Sequence, residues 1–196
     1  MGRIIFKTLL GVLLLCLALP AAGLAKNSSV RLPGGMSITL PDNWQVQPEE
    51  EGAPALVALG RDEAGGAFGM IMINRTALPG EEEPLTQDKL PGLNAEEKAA
   101  FLAEMEKNFQ AEFSGENSPF KLKEIRDASI KSINGFNAAS ITAALDADGK
   151  GVILEADIIM FADRAIQLQA WCSEEQYAVR GQEVRNIIGS FVAGKR

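Results

Sequence analysis

Asn134-Gly135-Phe136-Asn137-Ala138-Ala139-Ser140-Ile141-Thr142-Ala143-Ala144-Leu145-Asp146-Ala147-Asp148-Gly149 is the stretch that decides the fold. It is a strand-like run with Asn-Gly at one end and Asp-Gly at the other. These dipeptides suit two-residue hairpin turns, whose central positions need positive φ. The chain therefore doubles back twice, and residues 120–133, 136–147 and 150–162 read as successive antiparallel strands. Residues 165–172 add a fourth after a turn at Asp163-Arg164, completing a meander.

The register can be checked internally. With Asp148-Gly149 as the turn, Leu145 opposes Val152, Ala143 opposes Leu154, Ile141 opposes Ala156 and Ala139 opposes Ile158. Every member of that face is apolar, whereas a slip of one residue would mix the faces. The same test on the last hairpin favours a three-residue connection. It sets Ile166, Leu168, Ala170 and Cys172 on that apolar face, making Cys172 a core residue rather than a reactive thiol.

The opposite face then gathers Asp127, Ser129, Lys131, Ser140, Thr142, Glu155, Asp157, Gln169 and Trp171, with Phe136, Ile159 and Phe161 towards one end. This is the one constellation suited to holding a ligand. The competing reading is a partly solvated or covered face with its polar groups satisfied. Glu155 and Asp157, two apart on one strand, suit acid–base or calcium chemistry. They equally suit salt bridging, with Lys131 as partner.

Working outward, Ser173 caps a final helix with Gln176 at the capping-box position. Its stripe is Tyr177, Val184, Ile187, Ile188 and Phe191. Before the meander, Asn94 caps another helix with Glu97 three residues on. Leu102, Met105, Phe109 and Phe113 form its apolar stripe, and Gly115 ends it. Residues 36–40, 44–47, 55–60 and 67–74 read as shorter strands. Trp44 reads as a core plug near the sheet edge. Residues 49–52 and 78–93 read as acidic loops, the latter holding Glu81-Glu82-Glu83.

The first 25 residues carry an address. Arg3 and Lys7 precede an apolar run from Leu9 to Leu19, and small residues follow. This is the pattern of a secretory signal peptide, with cleavage expected after Ala25 or Ala22. The run is too short for a bilayer span of about 20 residues. Leu15 stands before Cys16, where lipid attachment needs a small residue. The reading is then a cleaved signal at 1–25, a flexible polar terminus at 26–35 and one domain at 36–196. No membrane span remains after cleavage, and the destination is the periplasm or the exterior.

Removing the signal leaves 17 basic against 26 acidic side chains, a charge of −9. Such a chain does not seek phosphate backbones, so no nucleic-acid partner is expected. Histidine is absent. That excludes Ser-His-Asp, Cys-His and HExxH chemistry. Cys172 alone remains after the signal, so internal disulfides and cysteine-built zinc or iron–sulfur sites are excluded as well. Asp146, Asp148, Gly151 and Asp157 imitate part of a calcium loop, but Lys150 stands where an oxygen ligand belongs. With aromatic residues at 6%, a glycosidase-like cleft lined by aromatic platforms is not expected. No catalytic residue, metal or cofactor is assigned.

Ile38-Thr39-Leu40-Pro41-Asp42-Asn43-Trp44 is similar to the strand, Leu-Pro, x-x-Trp opening of the PsbP/Mog/DcrB-like superfamily. The meander and the closing Ile187-Ile188-Gly189-Ser190-Phe191 resemble that group too, so the likeness spans about residues 36 to 192. The resemblance implies an α+β fold: an α/β/α sandwich around an antiparallel sheet, with a C-terminal four-strand meander and a final helix. It implies binding or assembly roles with no shared catalytic set, so no functional residue is carried over. The reading is an exported bacterial, non-enzymatic binding or assembly factor of the cell envelope, its partner an unknown envelope protein. The alternative is a small-ligand or metal-dependent module, or an enzyme, using the polar face around Glu155 and Asp157.

Overall fold

A computed structural model describes residues 27–48, 54–78, 84–115 and 118–194. The segment expected to be a signal peptide, with the expected cleavage sites, and both acidic runs at 49–51 and 81–83, lie outside the described residues. The strands are β1 (Ser28–Arg31), β2 (Ser37–Leu40), β3 (Trp44–Val46), β4 (Leu56–Arg61), β5 (Ala67–Ala77), β6 (Lys121–Ile133), β7 (Phe136–Ala147), β8 (Lys150–Met160) and β9 (Arg164–Ser173). The helices are α1 (Ala95–Phe113) and α2 (Glu174–Gly189). No helix among the described residues is long and apolar enough to cross a membrane.

Seven strands form one antiparallel sheet in the order β3-β4-β5-β9-β8-β7-β6. Both dipeptide turns are where the sequence puts them. Asn134 and Gly135 have φ 47° and 88°, and Asp148 and Gly149 have 51° and 82°. Positive φ at both central positions matches the right-handed twist of the flanking strands. Asp146 steadies the second turn by accepting the Gly149 amide at 2.8 Å. Leu145 opposes Val152 and Ala139 opposes Ile158, as the apolar pairing requires.

The last hairpin differs. Phe161 donates its amide to the Arg164 carbonyl at 2.8 Å, so Ala162-Asp163 is a two-residue turn. Leu154 then opposes Trp171, and Ala156 opposes Gln169. Relative to the three-residue connection, β9 is shifted by one residue and every side chain changes face. Ile166, Leu168, Ala170 and Cys172 share a face with Glu155 and Asp157, while Gln169 and Trp171 lie on the other.

α2 and the β1–β2 hairpin cover the first of these faces. Their core holds Ile38, Leu40, Trp44, Leu168, Val184, Ile187 and Phe191. α1 covers the second face, over Met70, Met72, Ile141, Leu145, Leu154 and Trp171. The layers are helix, sheet, then helix with hairpin. The polar stretch expected to be a flexible terminus carries β1 instead. Val30 and Leu32 pack into the α2 layer, and Val30 pairs with Ile38.

Asn94 caps α1 with a complete capping box: its side chain receives the Glu97 amide at 3.0 Å, and Glu97 receives the Asn94 amide at 2.9 Å. Ser173 caps α2, its hydroxyl receiving the Gln176 amide at 3.2 Å. Trp44 is the expected edge plug. Its ring meets Phe68 edge-on at 5.4 Å, and its indole N–H donates to Glu183 Oε1 of α2 at 2.8 Å. A Cβ on Gly60 would lie 2.5 Å from Phe68, so only glycine fits beneath this aromatic pair.

Candidate functional site

The hairpin registers bring seven of the nine anticipated residues together. Ser129 opposes Ser140, and Ser140 opposes Asp157. Asp127 opposes Thr142, and Thr142 opposes Glu155. With Lys131, they make a polar field across β6, β7 and β8 on the face that α2 covers. Its outer members, Asp127 on edge strand β6 among them, are more exposed. Its inner members are sealed: Asp157 is 0% and Glu155 3% exposed.

A carboxylate that far from water must be met by opposite charge. Lys131 Nζ reaches Asp157 Oδ1 at 2.9 Å. The approach is electrostatic rather than well aligned, and neither Asp157 oxygen receives a hydrogen bond of good geometry. Burial pushes the Asp157 carboxyl above its ordinary value of 3.8; the Lys131 charge and the Ser140 hydroxyl pull it down, and Glu155 pushes it further up. The desolvation cost therefore exceeds what one half-exposed lysine returns.

Glu155 is held from α2. The Tyr177 hydroxyl donates to Glu155 Oε1, and Arg185 Nη1 lies 3.5 Å from the same oxygen. Arg185 also donates to the Tyr177 hydroxyl at 3.0 Å. Tyr177, Gly181 and Arg185 recur every fourth residue, hence on one helix face. A Cβ on Gly181 would sit 3.3 Å from both the tyrosine ring and the guanidinium, so its absence lets both side chains lie down towards Glu155. Burial, then the Glu155 carboxylate, pushes Tyr177 up to about 12. Glu155 Oε2 is buried without a hydrogen-bond partner. At the N-terminus of α2, Glu174 forms an ion pair with Arg126 of β6.

Gln169 and Trp171 do not join this site. On the α1 side, Trp171 packs on Phe120 at 4.9 Å and donates its indole N–H to Gln169 Oε1 at 3.3 Å. The Nε2 groups of Gln167 and Gln169 are buried there without partners. Sequence reading took Tyr177 as a member of an apolar stripe and missed Arg185. The four-residue spacing around Gly181 was the available signal. Cys172 is core, as expected: its sulfur contacts the Phe68 carbonyl at 3.2 Å, and burial raises the thiol to about 11. Among the described residues, no group of three or more acidic or cysteine side chains is placed to hold a metal ion.

No family model matches the chain, and no curated protein matches it. Solved structures do. One from Bacteroides thetaiotaomicron matches with a TM-score of 0.54 and 14% identity over 88% of this chain, which spans 50% of that longer protein. The solution structure of cyanobacterial PsbP (CyanoP) from Synechocystis matches with a TM-score of 0.53 and 11% identity, covering 91% of this chain and 98% of that one. A Pseudomonas aeruginosa protein of unknown function matches with a TM-score of 0.50 and 14% identity, covering 88% of this chain and 100% of that one. At these identities the likeness is one of fold. The fold is thus like that of cyanobacterial PsbP, in keeping with the resemblance of the Leu-Pro-x-x-Trp opening.

Proposed function

We propose that the chain is an exported, non-enzymatic binding or assembly factor that meets a protein partner in the cell envelope. The observation that carries this is how the buried charges are used. Lys131 engages Asp157 within the sheet, and Tyr177 with Arg185 engages Glu155, which fastens α2 to the sheet. A tyrosine near 12 and a carboxyl closed off from water are poorly suited to general acid–base work at neutral pH. The large apolar side chains left exposed among the described residues are Val46, Val179 and Val192. All three belong to the α2 side of the sheet, where a partner would find apolar contact.

The test is photo-crosslinking in intact cells, with the probe at Val179 on α2 or at Lys107 on the outer face of α1. One dominant protein captured at Val179 and not at Lys107 is the expected result. No adduct at either site, or an indiscriminate set at both, counts against a protein partner.

A second reading is favoured by one observation, the unpartnered Glu155 Oε2. A small cationic ligand, a primary amine by chemistry, would complete that carboxylate beside Asp127, Ser129, Lys131, Ser140, Thr142 and Asp157. Melting the protein with and without a set of alkylamines tests it. A rise in Tm that disappears in Glu155→Gln supports the amine site, and no rise with any amine removes it.

A further inference from the structure

β6 ends the seven-stranded sheet with one neighbour, β7. Among the described residues no backbone group pairs with its outer edge. The two halves of that edge are unlike. The first half is broken by register shifts at Leu122/Glu124 and Ile125/Asp127 and carries Lys121, Lys123 and Arg126. Bulges and cations of this kind blunt an edge against strand pairing. From Asp127 to Ile133 the strand runs without a shift.

The turn geometry says which groups of that regular half are open. Ile133 and Phe136 flank the two-residue turn, so they exchange both hydrogen bonds, and every second residue back from Ile133 does the same. Lys131, Ser129 and Asp127 thus face β7. The N–H and C=O groups of Ala128 and Ile130 point away from the sheet.

We infer that this edge pairs with its own copy, antiparallel about a two-fold axis at Ser129, joining two sheets into one. In that register Ala128 and Ile130 exchange main-chain hydrogen bonds with Ile130 and Ala128 of the second copy. Asp127 falls opposite Lys131 of the second copy, and by symmetry Lys131 opposite its Asp127. A shift of two residues along the strand in either direction loses both opposite-charge pairs, so charge selects this register. Within one chain Asp127 and Lys131 are four residues apart on an extended strand, too far to meet. Asp127 is exposed and receives only the Ser129 hydroxyl, at 2.8 Å, among the described residues. Lys131 is 36% exposed and keeps donors to spare beyond Asp157. On the opposite face, half-buried Ala128 and Ile130 would meet their counterparts and leave water.

Light scattering on the purified protein across concentration tests this, with Ala128→Pro, Asp127→Lys, Asp127→Asn and Asp127→Glu alongside. Proline at position 128 removes an amide that β7 does not use, so the fold survives it. The expected result is twice the chain mass for the native protein and for Asp127→Glu. Ala128→Pro and Asp127→Lys should weaken the dimer by about tenfold or more, and Asp127→Asn less, each with unchanged circular dichroism. Added salt should weaken the native dimer and leave the Asp127→Asn dimer less affected. Single-chain mass at the highest soluble concentration overturns the inference. So does a dimer that both Ala128→Pro and Asp127→Lys leave intact.

Discussion

The two faces of the sheet are covered by helices of similar length and yet are built differently. On the α2 side, Val184, Ile187 and Ile188 are fully buried, Phe191 seals the end, and a tryptophan on the far edge strand is tied to the helix through Glu183. Buried acids on that face are met by Lys131, Tyr177 and Arg185. Of α1 itself only Phe109 and Phe113 are buried, while Leu102 and Met105 stay half-exposed. Beneath it lie two glutamine amides with unpartnered nitrogens. Helix length is therefore a poor guide to what a helix contributes. What counts is how much of its stripe leaves water and whether the polar groups it covers find partners.

Paired truncations test this contrast most strongly. Phe191→Ala in the α2 layer should cost about 3–5 kcal/mol. Leu102→Ala on the open half of α1 should cost about 1 kcal/mol or less, because little surface is returned to water. Urea unfolding of both variants measures the difference, and equal losses would erase the distinction between the helices.

Asp157→Asn probes the cost of the buried charge. The raised carboxyl means the native state holds this proton more tightly than the unfolded chain. Its contribution to stability is full below about pH 3.8 and falls as pH rises through the folded value. The asparagine variant should be about 1 kcal/mol more stable than the native protein at pH 7, since Lys131 can turn to solvent. Its stability should also vary less with pH above that range. Unfolding curves from pH 4 to pH 8 decide this, and a loss of stability at pH 7 would make Asp157 a net structural asset.

On the α1 face, Gln167→Leu removes a buried donor that has no partner and should be neutral or stabilising by about 1 kcal/mol. A marked loss of stability on urea unfolding would show that this amide does make a bond that holds the fold. A further effect should come at high pH. Tyr177 ionises near 12 when folded and near its ordinary 10 when unfolded, so its contribution is intact below pH 10 and lost between the two values. Tyr177→Phe should flatten stability across that window. An unchanged slope would detach Tyr177 from the fastening of α2.

How much of this was legible follows from particular residues. Asn134-Gly135 and Asp148-Gly149 impose positive φ on two adjacent residues, a local demand that no packing is needed to interpret. They set the pairing of β6, β7 and β8 and so assembled Ser129, Lys131, Ser140, Thr142, Glu155 and Asp157 on one face. The helix caps Asn94 and Ser173 were legible for the same reason, as were Trp44 at the edge and the apolar stripe that buries α2. Val30 and Leu32 were not, because two apolar residues in a polar terminus carry no period.

The sequence alone determined the meander, the helix starts, the absence of histidine chemistry and the side-by-side placement of Glu155 and Asp157, since each rests on local dihedral or residue-type constraints. Tertiary structure alone decided the register of β9, the seating of α2 by Tyr177, Arg185 and Glu183, and which edge of the sheet stays open. The turn at Ala162-Asp163 carries no glycine to declare its length. Nearly all of β9 is buried, with core on both of its faces. Alternation of polar and apolar residues then stops marking a face, and a one-residue choice that only the surrounding core can make sent Gln169 and Trp171 to the opposite side from the acids.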